Sequence, residues 1–183
     1  GVGRFSTYPP HGMIRFLLVQ NRQGKVRLAK YYAPFDETER ARLPSETHRL
    51  VVSRDQRIQS NFVEVDTRLQ DLTTVKNYRV VYRRYASLYI CACIDFSDNE
   101  LAYLEAIHLL VEILDAHFGS VNELDFVYHF YKVSCFGKTD ADVAVLDEVF
   151  LAGEIQETSK LDVLARLDQC AFQVTPALTQ WIV

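Results

Sequence analysis

The longest strictly apolar run in this chain, Leu88-Tyr-Ile-Cys-Ala-Cys-Ile94, is apolar at odd and even positions alike. It is far too short for the roughly 20 residues that a membrane-spanning helix needs. Side chains along a strand alternate between the two faces of a sheet, so a strand apolar on both must be covered on both. The run therefore predicts a central strand over Ser87–Ile94, in an antiparallel sheet with helices on either side. Cys91 and Cys93, two apart, point the same way along it and read as inert core thiols. Cys135 and Cys170 are isolated and no CxxC occurs, so free thiols are expected rather than zinc.

The remaining elements fit one domain in 183 residues. Ile14–Gln20 and Val26–Tyr32 read as strands of a hairpin, with Gly24 able to take the positive φ its loop requires. Asp36 is a candidate N-cap for a helix to Arg54, and Pro44 predicts a kink or break at Leu43–Pro44, since an interior proline costs a helix about 3 kcal/mol. A short strand follows at Asn61–Val65, a polar loop at Asp66–Asn77, and a further strand at Tyr78–Arg83. Asn99–Phe118 is the clearest helix, led by Asp98 and stopped by Gly119. Asn122–Val133 and Val143–Leu151 read as helical, and Leu161–Leu167 as a short helix capped by Thr158 or Ser159. Residues 1–12 read as a flexible leader, and residues 170–183 as an extra apolar tail interrupted by Pro176.

On the long helix Leu104, Ile107, Leu110, Val111, Ile113, Leu114 and Phe118 cover roughly 200° at 100° per residue, about twice what facing one core requires. One flank should cover the sheet. The other is left for neighbouring helices, a partner or an apolar ligand. Charge is also uneven. Residues 1–92 carry 16 basic and 8 acidic side chains, residues 93–183 only 4 basic and 16 acidic, within a net charge of −4. Arg22, Lys25, Arg27 and Lys30 concentrate positive charge on the first hairpin, and Arg79, Arg83 and Arg84 on a later one. The acidic total and the lack of a binding motif disfavour nucleic acid.

Catalytic machinery is not found. Glu105-x-x-His108 has the spacing of a di-iron helix motif, but no second Glu-x-x-His accompanies it. GxSxG, HExxH and a phosphate-binding loop are all missing. No cofactor is expected, and the chain reads as a binding module rather than an enzyme. A basic hairpin beside an apolar helix flank would suit a peptide with an acid followed by aliphatic side chains.

Long words of the sequence carry a resemblance. Met13-Ile-Arg-Phe16, Gln20-Asn-Arg-x-Gly-Lys-x-Arg-Leu-Ala-Lys30, Asn61-Phe-Val-Glu64, Tyr82-Arg-Arg-Tyr-Ala-Ser-Leu-Tyr89, Asp98-Asn-x-Leu-Ala-Tyr-Leu-Glu-Ala-Ile-His108 and Phe150-Leu-Ala-Gly-Glu-Ile-x-Glu-Thr-Ser159 occur in family order. From Met13 to about Asp168 the chain closely resembles the sigma, or small, subunit of clathrin adaptor complexes, most of all the plasma-membrane, endocytic one. The resemblance implies an α+β, longin-like domain over residues 13–169, a five-stranded antiparallel sheet with helices on both faces. Insertions relative to the family fall near residues 66–76 and 134–144.

The resemblance also implies a heterotetramer with alpha-type and beta-type large chains and a medium (mu) chain. Its place would be the cytoplasmic face of the plasma membrane, in clathrin-coated pits, with membrane contact made through the complex. The small chain would bind acidic dileucine sorting signals in cargo tails. Carried over by position, Arg27 should face the acid of the signal. Ala86, Leu88, Val111, Val121 and Leu124 should line the leucine pockets. Ser120 stands where endocytic members often have Asn, and Phe126 where the family has an aliphatic residue. A structural longin-fold subunit without a working pocket is the alternative.

Overall fold

The computed structural model describes residues 13–54, 59–64, 78–118, 124, 149–151, 153–155 and 158–166. The leader, the tail, both insertions, the helix expected over Asn122–Val133 except residue 124, the Gly119 cap, Cys135 and Cys170 lie outside these residues. Strands β1 (Phe16–Asn21) and β2 (Val26–Tyr31) lead to helix α1 (Glu37–Val52) and strand β3 (Phe62–Glu64). Strands β4 (Tyr78–Tyr85) and β5 (Leu88–Asp95) precede helix α2 (Glu100–Phe118). A small hairpin, β6 (Phe150–Leu151) and β7 (Glu154–Ile155), and a short helix α3 (160–166) follow.

The five-stranded sheet has the order β2-β1-β5-β4-β3, with every pairing antiparallel. β5 is its central strand, and its two parities go to different cores. Leu88, Ile90, Ala92 and Ile94 join the aliphatic side chains of α2. Tyr89, Cys91 and Cys93 join Leu43 and Val51 of α1. Burial pushes the Cys91 thiol up to about 12 and raises Cys93 as well, so both stay protonated core filler.

α1 begins as its sequence predicts. The Asp36 carboxylate accepts from the Glu39 amide at 2.7 Å, and the Glu39 carboxylate accepts from the Asp36 amide at 2.9 Å, a reciprocal cap. Of the kink or break expected at Pro44, the break does not occur: α1 runs unbroken from Glu37 to Val52. A proline at 44 has no N–H for the carbonyl of Arg40, and the Tyr31 hydroxyl donates to that carbonyl instead at 3.2 Å. Gln20 in turn donates from Nε2 to the Pro44 carbonyl at 2.8 Å. Two side chains of the sheet thus hold the helix through a residue that local propensity would reject.

The wide apolar arc of α2 is real, but its second flank is not left free. Tyr103, Ala106, Ile107, Leu109, Leu110, Val111, Ile113 and Leu114 are all buried. Val149, Phe150 and Val163, with Ile155 and Leu164, join the same cluster, so the chain's own C-terminal elements cover what the sheet does not. The helix expected to reach Leu151 gives way to strand at Phe150–Leu151. The Gly153 carbonyl accepts from the Ile14 amide at 2.8 Å, and Gly153 has φ +89°. A Cβ there would lie 2.6 Å from Met13 Cγ and 2.8 Å from the Ile14 carbonyl oxygen. Glycine at 153 therefore lets the hairpin dock on the chain entering β1, which an apolar run read alone does not reveal. α3 is capped by Ser159, whose hydroxyl accepts from the Asp162 amide at 3.4 Å.

Candidate functional site

Strand register brings two loops to one end of the sheet. Asn21, the last residue of β1, pairs with Leu88, the first of β5, and Tyr85 closes β4 opposite the same Leu88. The β1–β2 loop and the β4–β5 turn are therefore neighbours. In the first, Asn21 Oδ1 accepts from the amides of Gln23 and Lys25 at 3.0 and 2.9 Å, and Gly24 takes φ +81° against the His48 ring of α1. In the second, Ala86 has φ 50°, alone among the described non-glycine residues. A positive φ at the first of two loop residues is the pattern of a type II′ turn, which glycine would occupy at lower cost. Arg84 Nε donates to the Ala86 carbonyl at 3.3 Å.

Arg27 stands at a defect in the ladder. Val19 pairs with Leu28 and Gln20 with Val26, so Arg27 is the extra residue of a β-bulge on the edge strand. A bulge of this kind re-aims a side chain out of the regular pleat. Its half-buried side chain thus belongs to the loop end, with exposed Arg22, Lys25 and Arg84 and half-buried Arg83. The guanidinium of Arg83 lies 5.5 Å from the ring of Tyr85, and that of Arg84 lies 5.8 Å from the ring of Tyr89.

Two cations grouped with these by the sequence are elsewhere. Lys30 pairs with Leu17, and Arg79 lies near the start of β4, towards the opposite end. There Arg79 bridges Glu64 at 3.4 Å and makes an ion pair with Glu100, with the Phe96 ring 4.1 Å from its guanidinium. These residues, except Phe96, line a polar cavity of about 510 Å³ with Arg54, Ser60, Phe62 and Val63.

α2 starts at that opposite end and runs back towards the loops. The Tyr85 hydroxyl and His108 Nδ1 are 2.8 Å apart, with ring planes 4° apart. Burial raises the Tyr85 phenol above its ordinary pKa, with Arg83 opposing and Glu105, Glu112 and Asp115 adding to the rise. The hydroxyl therefore keeps its proton, and it shares with Nδ1 a hydrogen bond whose direction the ring's tautomer sets. The other ring nitrogen, Nε2, lies 3.9 Å from Glu112 Oε1. Among the described residues no group of three or more His, Cys, Asp or Glu side chains is placed to hold a metal ion. Glu105 borders a cavity of about 300 Å³ floored by Ala102, Ala106, Leu109 and Ile155.

The structure brings Arg27, Ala86 and Leu88 to one end of the sheet and seats Val111 in the same aliphatic cluster as Leu88. Leu88 and Val111 are only 2% and 5% exposed, whereas Leu124 is exposed. Neither cavity above is lined by any of these five residues. Ser120, Val121 and Phe126 lie outside the described residues. Tyr85 and His108, which tie the turn to the helix, were not singled out for this role from sequence. Their 23-residue separation gives no local signal of pairing.

Comparison with known proteins follows the same pattern. The sequence profile of the clathrin adaptor complex small chain matches residues 13–173. The AP-2 complex subunit sigma of Neurospora crassa is 57% identical over 156 residues, 85% of this chain and 96% of that one. The AP-1 complex subunit sigma-1 of Arabidopsis thaliana is 45% identical over 148 residues, 81% of this chain and 80% of that one. A chain of a homology model of the full-length AP-3 complex, in a stretched open conformation, superposes with a TM-score of 0.65 at 27% identity. That superposition covers 92% of this chain and 99% of the other.

Proposed function

The chain belongs to the clathrin adaptor complex small-chain family and is a sigma subunit of such a complex; from that premise we propose that it serves the endocytic complex and binds acidic dileucine signals. Identity of 57% to an AP-2 sigma subunit against 45% to an AP-1 sigma subunit favours the endocytic assignment. Its partners are then alpha-type and beta-type large chains and a medium chain, at clathrin-coated pits on the cytoplasmic face of the plasma membrane. The family is one of trafficking subunits, and the role is adaptor binding rather than catalysis.

The observation that carries the binding reading is the convergence at the loop end of the sheet. The bulge residue Arg27 lies at the same end of the sheet as the turn whose next strand starts with Leu88, and Leu88 shares a cluster with Val111. A guanidinium recognises a carboxylate through paired N–H donors, and an adjoining aliphatic cluster accepts leucine side chains by the hydrophobic effect. Leu88 and Val111 are covered in this structure, so leucine side chains reach them only when the cover shifts.

The same burial favours a second reading, a structural small chain in which Leu88 and Val111 serve only the core. An acidic dileucine peptide titrated into the assembled four-chain complex separates the two. Saturable binding is expected, weakened by about 1–2 kcal/mol in Arg27→Ser, as for a charge-assisted contact at a partly wet rim. The wild-type advantage should shrink as salt rises. A wild-type complex that ignores the peptide sinks the binding reading. Equal affinity for a peptide with Gln in place of the acid removes Arg27 from it.

A further inference from the structure

The β4–β5 turn carries a strained residue with a defined support. Ala86 holds φ 50° without being glycine, a conformation that L-residues rarely adopt and that persists only where surrounding contacts enforce it. Two contacts bracket it. Arg84 donates to its carbonyl, and the residue immediately before it, Tyr85, reaches across to α2 and bonds His108. His108 lies one helical turn before Val111, and Tyr85 pairs with Leu88 in the ladder. This one side-chain bond therefore ties the end of β4, next to Ala86 and opposite Leu88, to the helix that bears Val111.

We propose that His108 is a positioning residue of the dileucine site, its Nδ1 holding the Tyr85 hydroxyl so that the β4–β5 turn stays fixed against α2. The inference rests on the dileucine reading above. A fixed turn spares the ligand the cost of ordering Ala86–Leu88 on binding, so loss of the bond weakens the peptide. Removal of the bond is survivable for the fold. His108 is about one-third exposed, so water can serve Nδ1 once the hydroxyl is gone.

The geometry predicts which substitutes will work. The carboxamide of Asn can stand where Nδ1 stands and offer the hydroxyl either an oxygen or an N–H, whereas Gln places its amide near Nε2. In the assembled four-chain complex, Tyr85→Phe and His108→Gln should each weaken an acidic dileucine peptide about three- to tenfold, the range of one net hydrogen bond. The double variant should be no weaker than either single one, and His108→Asn should stay near wild type. Amide exchange at residues 86–88 of the unliganded complex should quicken in Tyr85→Phe and His108→Gln but not in His108→Asn.

Wild-type affinity in Tyr85→Phe, equal losses in Asn and Gln, or unchanged exchange at the turn would each overturn the positioning role. A wild-type complex that binds no peptide overturns the dileucine reading, and the positioning role with it. In that case the exchange comparison still decides whether the bond fixes the turn.

Discussion

The two ends of the sheet use the same side chains differently. At the end where β4 begins and β5 finishes, arginines are held by carboxylates. Arg15, 4% exposed in its side chain, meets Asp95 at 2.6 Å, and Arg79 is shared between Glu64 and Glu100. At the loop end, Arg83 and Arg84 face the rings of Tyr85 and Tyr89, and Arg84 donates to a backbone carbonyl. One end locks the fold with charge; the other sets its cations against aromatic rings. An arginine in a strand is thus no guide to binding until its partner is known.

The largest test of that contrast removes a partner. Asp95→Ala leaves the buried guanidinium of Arg15 without its carboxylate and should cost about 3–5 kcal/mol in chemical denaturation. Arg84→Ala at the loop end should change stability by no more than about 0.5 kcal/mol. Comparable losses at both ends would erase the distinction.

Glycine gives a second, smaller test. Gly153→Ala meets the Ile14 carbonyl oxygen at 2.8 Å, which cannot move without moving β1. The backbone conformation alone should cost about 1–3 kcal/mol, with the clash added. Gly24→Ala at the loop end meets the imidazole of His48 at 2.9 Å, a side chain that can swing aside, and should lose only about 1 kcal/mol. Thermal melts of the two variants in the same complex rank them, and a more damaging Gly24→Ala would show that the loop end is the stiffer one.

Acid gives the mildest probe. The Asp36 carboxyl is held below its ordinary range, chiefly by the Glu39 amide and then by the Thr38 hydroxyl. A depressed folded pKa contributes stability above the unfolded value and loses it as pH falls through the folded one. Asp36→Asn keeps an acceptor for the cap but cannot titrate, so it should flatten the acid limb of the stability curve slightly. An unchanged acid limb would remove the cap from that limb. None of these substitutions replaces Tyr85 or His108, whose effects are read in peptide affinity and in amide exchange at the turn.

Periodicity and chain chemistry alone determined a good deal here. The double-sided apolar run at 88–94 could only be a central strand, because each parity had to be buried. Asp36, an acid just ahead of a helical stretch, was a candidate cap, and it caps α1 with Glu39 as reciprocal partner. The family followed from long words such as Ala102-Tyr-Leu-Glu-Ala-Ile-His108. Those are properties of neighbours along the chain, which a sequence displays directly.

The tertiary structure decided what depends on partners distant in sequence. Pro44 stays in its helix because Tyr31 and Gln20 supply the bonds around it. Leu151 lies in a strand because Gly153 docks its hairpin on Ile14. Arg79 and Lys30 leave the basic group because register sends them to the other end. The second flank of α2 is covered by Val149, Phe150 and Val163 from the chain's own C-terminal region. Arg27 was named from sequence, but its bulge was not legible there, since a bulge exists only in the register between two strands. Tyr85 and His108 come together only once β4 and α2 are packed. In each case the deciding energy is a contact across the fold, and no local pattern encodes it.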